Sequence, residues 1–453
     1  MEFKKRRGRK GMEKEKIEEK IDYLISSMTL EEKIAQLKAK TVSIWQTVGK
    51  ILLEDVFSDL TPEFKEKIMG FLFGFYRDRE LAEEMTKALW KKMWKKLVLE
   101  GEEKKYPIGE LSCALRSMSP RDSAEFANEI QKYVLENSEI KIPVLIHDEA
   151  LHGCMAKGST IFPQAIGMAS TWNPELIYQV ATAIGKETRS RGIHQVLSPT
   201  INIARDPRCG RTEETYGEDP YLASRMAVAY IKGVQEQGVI ATPKHFAANF
   251  VGDGGRDSYP IHFSERLLRE VYFPAFKASI KEAGALSLMA AYNSLDGIPC
   301  SSNKWLLTDV LRKEWGFKGY VVSDYFSVLH LMTKHKVAES KAEAARLALE
   351  AGLDMELPDS DCFEEMINLV KGGKLSEETI NEAVRRILGV KFWAGLFDNP
   401  FVDPDYAERV NDCAEHRELA LRVARESIVL LKNEGILPLS KDIGSIAVIG
   451  PNA

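Results

Sequence analysis

The sequence has few of the features that mark redox, metal-binding or secreted proteins. Its 453 residues include six cysteines, which are scattered and form neither a CxxC pair nor a metal-binding spacing. Such cysteines are typical of reduced thiols in a cytosolic protein, so we expect a cytoplasmic location and no metal. The basic segment 1–10 is not followed by an apolar stretch and therefore does not read as a secretory signal.

The sequence also lacks the signatures of nucleotide and nucleic-acid binding. It contains no phosphate loop and no glycine fingerprint for a dinucleotide, and we expect no cofactor. The formal net charge of −5 does not suggest a nucleic-acid binder. Hydrophobic residues make up 44% of the chain and charged residues 28%, which describes a soluble globular protein with a large core. Abundant lysine and glutamate fit a heat-adapted protein.

Helical patterns dominate the first hundred residues. We expect a disordered basic tail over residues 1–11, followed by a helical pattern from Met12 to Lys40. Thr29 and Glu32 have the spacing of a capping box that starts a second helix. A later apolar stripe at four-residue spacing, flanked by lysines and tryptophans, consists of Leu81, Met85, Leu89, Met93 and Leu97. Such a helix can lie on a membrane, but it more often packs on protein, and we expect no membrane contact.

Beyond about residue 140 the pattern changes to buried strands that alternate with helices. The strands are short apolar runs, which are typical of a parallel sheet covered on both faces. The predicted strands are Ile142–Ile146, Ile193–Leu197, Val239–Thr242, Ala285–Ala290 and Gly319–Val322. The predicted helices between them are Pro174–Arg189, Asp219–Gln235 and Ser264–Glu282. The number and spacing of these repeats favour an α/β fold, a (β/α)8 TIM-like barrel with an N-terminal helical extension over residues 12–400.

Ionisable side chains follow the ends of these strands. The carboxyl ends of parallel strands meet at one rim, where ligands bind. The candidate site residues are Glu149, Arg211, Lys244, His245, Arg256, Tyr292 and Asp324. Acids, bases and phenols that converge on one rim suit a neutral, hydroxyl-rich ligand. Each residue also has a structural explanation when taken alone: Asp324 could cap the next helix, and Arg211 could simply pair with Glu214.

Eight short motifs, taken in order, resemble those of family three of the glycoside hydrolases, within its β-xylosidase and β-glucosidase branch. The motifs are IPVLIHDEALHG, FPQAIGMASTWNPEL, DPRCGRTEETYGEDPYL, KHFAANF, GGR, MAAYN, GYVVSDYF and AGLDMELP. The resemblance covers the chain from about Met28 to its last residue. It implies a retaining, exo-acting hydrolase that removes β-linked xylose or glucose from the non-reducing end of an oligosaccharide or small β-glycoside.

The resemblance also implies a role for each candidate residue. Asp324 matches the nucleophile that forms the covalent glycosyl-enzyme, and Tyr292 matches the phenol beside it. Glu149 matches the carboxylate that binds the hydroxyls at the non-reducing end. The residues that match the polar ring around the other sugar hydroxyls are Arg211, Lys244, His245 and Arg256.

Chemistry at two positions adds to these roles. A retaining glycosidase needs an ionised carboxylate, and we expect the surrounding cations to hold the pKa of Asp324 low. Glu149 stands where hexose-cleaving relatives often have the shorter Asp, and its extra methylene would occupy the space of a C6 hydroxymethyl group. This favours xylose, with a selectivity of only about 1–3 kcal/mol. Two departures from the family pattern are Cys209 and Tyr325, which both stand where relatives often have Trp.

The C-terminal segment predicts the start of a second domain. We expect residues 401–444 to be a linker with a helix from His416 to Leu431, and residues 445–453 to be the first strand of an incomplete α/β sandwich. In the family that domain supplies the general acid/base Glu, so this chain alone is expected to hydrolyse natural glycosides poorly. Some single-domain relatives use a loop histidine instead, but the corresponding loop, residues 249–255, contains none.

Two other functions remain open from the sequence. Lys244 at the end of a barrel strand could form a Schiff base in an aldolase. The chain could also be a non-catalytic, carbohydrate-binding barrel that assembles as a homo-oligomer or with a separately encoded sandwich-domain partner.

Overall fold

The computed structural model describes residues 2–41, 94, 98–100 and 106–451, and the side chains of 15–41, 94, 98–99 and 106–451. The apolar stripe from Leu81 to Leu97 lies outside the described residues. The strands are β1 (Ala39–Thr41), β2 (Leu99–Glu100), β3 (Tyr106–Pro107), β4 (Glu110–Ser112), β5 (Leu145–Asp148), β6 (Gln195–Val196), β7 (Ile240–Ala241), β8 (Ser287–Met289), β9 (Ser294–Leu295), β10 (Ile298–Pro299) and β11 (Tyr320–Val322).

Helices connect and surround these strands. The α-helices are α1 (Glu2–Ser27), α2 (Leu30–Gln36), α3 (Pro120–Asn137), α4 (Ala165–Ala169), α5 (Pro174–Ser190), α6 (Pro220–Gln235), α7 (Glu265–Leu267), α8 (Pro274–Lys281), α9 (Ser327–Thr333), α10 (Lys341–Ala351), α11 (Met366–Lys371), α12 (Glu377–Trp393), α13 (Pro404–Val410) and α14 (Ala414–Glu426). Two π-helical segments, Leu268–Tyr272 and Trp305–Glu314, interrupt the pattern. No helix in these ranges is long and apolar enough to cross a membrane.

The parallel strands close into a ring. Strands β1, β4, β5, β6 and β7 pair in that order, and β8 pairs with β11. Backbone hydrogen bonds from Met289 to Pro243 (3.2 Å) and from Phe246 to Met289 (2.8 Å) join the two groups. Residues 353–357 then bridge β11 at Val322 and the start of β1 at Lys38. The seven parallel strands and the bridging segment 353–357 are the eight parallel segments of the barrel wall, which we call staves. The described residues thus confirm the (β/α)8 barrel.

The sequence located five of the eight staves. Strands β5, β6, β7, β8 and β11 lie on the five predicted segments, although each is shorter than predicted or displaced by two residues. The staves at β1, β4 and residues 353–357 were missed. The predicted helical pattern from Met12 to Lys40 is wrong at its end, because α2 stops at Gln36 and β1 follows. A three-residue stave is too short to show a period of its own.

Capping residues explain where several helices begin. Asn173 and Asp219 each accept a hydrogen bond from a backbone N–H two residues inside the following helix, at 3.1 and 2.6 Å, and each is followed by proline. The predicted capping box of Thr29 and Glu32 is confirmed by both reciprocal hydrogen bonds. The predicted helix over 264–282 instead breaks around Phe273, since Pro274 has no N–H to continue it.

The N-terminus differs from the predicted disordered tail. Helix α1 begins at Glu2, so it includes the basic segment. Lysine, arginine and glutamate are good helix formers, and a helix that is anchored at one end can propagate through them. The anchor is the far end of α1, where Ile21 and Ile25 are buried in the main core.

A buried carboxylate attaches the C-terminal helices to the barrel. Glu187 on α5 accepts hydrogen bonds from the backbone and hydroxyl of Thr160, from the backbone of Asp412 and from His416. Helix α14 ends at Glu426, earlier than predicted. Residues 445–450 form no strand, and Ile449 is 91% exposed. A strand requires a neighbour to pair with, and among the described residues no strand lies beside this segment, so the first strand of a sandwich domain stays a prediction.

Candidate active site

Loops at the carboxyl ends of the staves bring six of the seven candidate residues together. Glu149 follows β5, the Lys244–His245 pair follows β7, and Asp324 follows β11. Arg211 lies on the long loop after β6, and Tyr292 follows β8. Because all these strands are parallel, their carboxyl ends lie on one rim of the barrel.

The Asp324 carboxylate lies at the centre of this group. Its Oδ1 accepts the backbone N–H of Tyr325 at 2.7 Å, so the carboxylate is held at one end. Its Oδ2 is buried without a hydrogen-bond partner and lies 3.5 Å from Nε2 of His245. An oriented carboxylate with one uncommitted oxygen is suited to attack an electrophilic carbon.

Burial governs the charge of Asp324. Removal from water raises the pKa of its carboxyl to about 6, and this exceeds the opposing effects of Lys244, the Tyr325 N–H, Arg211 and Tyr292. The expectation that the cations hold this pKa low is therefore wrong. Both cations are already paired with other carboxylates, which reduces their effect on Asp324. The group is still mostly ionised at neutral pH.

Two ion pairs flank Asp324. The Lys244 ammonium donates to both oxygens of Glu149, at 2.9 and 2.8 Å, and the lysine is almost fully buried. The Arg211 guanidinium donates to both oxygens of Glu214, at 2.7 and 2.8 Å. Although burial raises the pKa of Glu214, the hydrogen bonds from Arg211 lower it below its usual value. Each pair presents donors and acceptors side by side, as neighbouring sugar hydroxyls require.

Asn202 fixes the protonation of His245. The Asn202 side-chain oxygen accepts from the backbone N–H of His245 at 2.8 Å and from its Nδ1 at 2.9 Å, while Nδ2 of Asn202 donates to the His245 carbonyl at 3.0 Å. Burial, with the charges of Arg211 and Lys244, lowers the pKa of His245 well below its usual range. The ring is therefore neutral with its proton on Nδ1, and Nε2 is left to accept a hydrogen bond from a ligand.

The structure does not bring Arg256 to this group. Arg256 is exposed, its Nη1 donates to the Tyr259 hydroxyl at 3.2 Å, and its guanidinium lies 5.2 Å from the centre of that ring. Gly254 and Gly255 precede it with φ of 70° and 72°, in the left-handed region that favours glycine. The next residue, Asp257, is closer to the site, because its charge affects both Arg211 and Tyr292.

Sequence reasoning missed Arg116 and Asp148. Arg116 donates from Nε to Asp148 at 2.6 Å, and Asp148 also accepts the backbone N–H of Glu149 at 2.7 Å. Burial raises the pKa of Asp148 to about 6 despite this pairing. The pair thus holds the loop that carries Glu149. Asp148 could have been noticed in the HDEALHG motif, whereas Arg116 follows a stave that carries no recognisable strand pattern.

The site offers no arrangement for a metal ion. Among the described residues, no group of three or more histidine, cysteine or carboxylate side chains has a geometry that could hold one. The nearby carboxylates of Glu149, Glu214 and Asp148 are each bound to a cationic side chain.

Comparison with known proteins gives consistent matches to one family. The family model described as "Glycosyl hydrolase family 3 N terminal domain" matches residues 29–390. A putative β-xylosidase of Formosa agariphila is 36% identical over 96% of this chain and 54% of its own length. A periplasmic β-glucosidase of Salmonella typhimurium is 38% identical over 91% of this chain and 54% of its own length.

A solved structure supports the same match. A β-glucosidase from Erythrobacter marinus superposes with a TM-score of 0.78 and 36% identity, over 93% of this chain and 51% of that protein. The chain spans about half the length of the curated relatives it matches.

The buried charge of Asp324 predicts a pH-dependent gain in stability on its removal. The pKa of this carboxyl is about 6 in the folded protein, above its usual value of 3.8, so its charge destabilises the folded state fully above pH 6, and this destabilisation vanishes below about pH 4. We expect Asp324→Asn to raise the free energy of unfolding at pH 8 by about 3 kcal/mol. Urea unfolding at pH 8 and pH 4 measures this difference.

The control for this measurement is Asp309→Asn, which alters a carboxylate on an exposed helical surface. It should change stability by less than about 0.5 kcal/mol at either pH. A loss of stability in Asp324→Asn at pH 8 would show that the cations outweigh burial.

Proposed function

The chain belongs to family 3 of the glycosyl hydrolases, and from this premise we propose that it is a retaining glycosidase that removes β-linked xylose, or glucose, from the non-reducing ends of oligosaccharides. The observation that carries the proposal is the oriented Asp324 carboxylate with its uncommitted Oδ2, surrounded by paired donors and acceptors. Relatives named β-xylosidase and β-glucosidase support the same reaction class.

The proposed first step is nucleophilic attack by Asp324. Its Oδ2 forms a bond to the anomeric carbon while the glycosidic bond breaks and its electron pair leaves with the aglycone oxygen. Neutral His245 accepts from a sugar hydroxyl through Nε2, and Arg211 and Lys244 donate to others. Because Asp324, Lys244 and His245 are buried and their polar groups are already oriented, charge that develops on the sugar ring meets fixed dipoles.

The second carboxyl that this chemistry needs is not found at the described rim. Glu149 accepts both hydrogen bonds from Lys244, and Glu214 accepts both from Arg211, so these two carboxyl groups are already engaged by cations and neither is placed to protonate a leaving group. We propose that the general acid/base is supplied from outside the described barrel, either by a sandwich domain or by a partner chain. The described residues then suffice for substrates whose leaving group needs no proton.

One feature favours xylose as the preferred sugar, and another favours the cytoplasm as the location of the protein. Glu149 is fixed by Lys244 at both oxygens, so its longer side chain cannot easily withdraw to admit a hydroxymethyl group. All six cysteines are unpaired, in keeping with a reducing compartment.

An aldolase is less well supported. A Schiff-base lysine must present its amine to a carbonyl carbon, whereas the Nζ atom of Lys244 is engaged by both oxygens of Glu149, at 2.9 and 2.8 Å.

The proposed nucleophile can be tested by covalent labelling. In a 2-deoxy-2-fluoro-β-xylosyl fluoride the anomeric fluoride leaves without protonation by an acid. The covalent fluoroxylosyl-enzyme that forms is hydrolysed slowly. We expect intact mass spectrometry to show one added sugar per chain, and peptide mapping to place it on Asp324. Asp324→Ala should take up no label, while Asp309→Ala, a change at an exposed residue, should label as the wild type does. Label on Lys244, or none at all, would refute the proposal.

The dependence on an external acid/base predicts a large difference between substrates. Loss of general acid catalysis costs about 10²–10⁴-fold where the leaving group is poor. We expect the purified chain to turn over xylobiose at least about 100-fold more slowly than dinitrophenyl xyloside, measured as kcat/KM. Equal turnover of both would place the acid/base inside the described residues.

The role of Glu149 in sugar selection predicts a change of preference. Glu149→Asp removes one methylene and makes room for a C6 group, so the rate with aryl glucoside should rise relative to aryl xyloside by about 10-fold. Glu213→Asp, at the exposed neighbour of Glu214, should leave the ratio unchanged. A ratio that moves the other way would assign Glu149 a different role.

A further inference from the structure

A chain of buried polar contacts crosses the barrel and ends beside the nucleophile. Glu110 on β4 pairs with Nδ1 of His147 on β5, and Nε2 of His147 lies 3.1 Å from the hydroxyl of Tyr325. Tyr325 follows Asp324 directly, and its backbone N–H is the one that holds Asp324 Oδ1. Glu110 and His147 are both fully buried. We refer to these three residues as the Glu110–His147–Tyr325 chain.

The chain has a defined direction of hydrogen bonding. Although burial lowers it, the neighbouring Glu110 carboxylate raises the pKa of His147 to about 10, so both ring nitrogens carry protons at neutral pH. Nδ1 therefore donates to Glu110, and Nε2 donates to the Tyr325 hydroxyl. The same hydroxyl is also 3.3 Å from the thiol sulfur of Cys113. Tyr325 is thus anchored at both ends, through its backbone to Asp324 and through its hydroxyl to the opposite side of the barrel.

Tyr325 lies between the two functional ends of the pocket. It adjoins Asp324 in the chain, and its hydroxyl is close enough to feel the charges of Glu149 and Arg116. Its side chain is only partly buried and packs against the main core. The ring is therefore placed along one side of the space between the proposed nucleophile and the carboxylate that selects the sugar.

The stability of the fold does not by itself explain why a buried ion pair contacts the Tyr325 hydroxyl. Such a pair is often replaceable by apolar side chains without loss of stability, so its presence alone adds little to the fold. Here the pair contacts the hydroxyl of Tyr325, the residue whose backbone N–H orients the nucleophile. A charge-assisted hydrogen bond also holds its partner more tightly than a neutral one.

We propose that Glu110 and His147 are positioning residues that act through the Tyr325 hydroxyl to fix the side of the sugar pocket and the N–H that orients Asp324. This inference rests on the proposed function. An unanchored ring would leave Asp324 less well aligned and would leave more space beside Glu149. Loss of the contact should therefore slow attack and weaken discrimination between xylosides and glucosides.

A double-mutant cycle tests this inference. The variants are Tyr325→Phe, His147→Gln and the two combined, and the measurement is the rate constant for labelling of Asp324 by 2-deoxy-2-fluoro xylosyl and glucosyl fluorides. Each single change should slow xylosyl labelling about 10-fold and narrow the xylosyl-to-glucosyl ratio, since one charge-assisted hydrogen bond is lost. The double variant should be no slower than the slower single variant, because both changes remove the same contact.

His194→Gln is the matched control. His194 is as deeply buried as His147, but its Nδ1 accepts only the backbone N–H of Ile146. We expect this variant to lose stability while labelling normally per folded molecule. Tyr325→Phe keeps the Glu110–His147 pair intact. It therefore shows whether the contact with the Tyr325 hydroxyl affects labelling of Asp324 even where His147→Gln does not fold.

The outcomes distinguish a failure of the proposed glycosidase function from a failure of the positioning role of Glu110 and His147. Wild-type protein that takes up no label refutes the proposed function and this inference with it. Normal wild-type labelling together with an unchanged rate and ratio in Tyr325→Phe overturns the inference alone. Effects of the two single changes that multiply in the double variant would also overturn it, because His147 would then act by a separate route.

Discussion

Closure of the parallel ring is the constraint on which the rest of this protein depends. The ring closes where residues 353–357 bridge Val322 on one side and Lys38 on the other. With the ring closed, no edge strand is left unpaired in the barrel, and every described stave delivers its carboxyl end to the same rim. Residues that are almost two hundred positions apart, such as Glu149 and Asp324, become neighbours for this reason alone.

Polar side chains inside the barrel hydrogen-bond to one another. The side chains of Gln195 and Tyr320 hydrogen-bond across the barrel, and Gln195 also reaches Thr242 and Ser287. Buried polar groups of this kind are favourable only when they are satisfied, and once satisfied they specify one arrangement. Site residues that extend from such a core inherit its fixed geometry, which is what electrostatic catalysis requires.

Much of the fold and the site could be predicted from the sequence, because apolar runs that end in ionisable residues mark buried staves directly. The ordered motifs placed Asp324, Lys244 and Glu149 on one rim, and the structure brings them together. What failed was set by properties that a linear pattern does not contain. Arg256 is exposed and contacts Tyr259, although its motif suggested a place among the site residues.

The expectation about the pKa of Asp324 failed because two effects of similar size oppose each other. The charge of Asp324 is attracted by cations and opposed by burial, and only the three-dimensional structure shows that the cations are already engaged by Glu149 and Glu214. Glu110 begins β4 and Arg116 follows it, and this strand is too short to be recognised from its sequence, so neither the positions nor the partners of these residues could be inferred.

The balance of charge at the rim has a consequence for what the pocket attracts. Among the described residues around Asp324, the three carboxylates of Asp324, Glu149 and Glu214 lie beside two cations, Lys244 and Arg211, and His245 is neutral. This group therefore has an excess of negative charge, and charge acts more strongly where it is buried, as at Asp324. A six-membered ring with a protonated nitrogen would be drawn into it, as would a sugar whose anomeric centre turns cationic, whereas a uronic acid would be repelled.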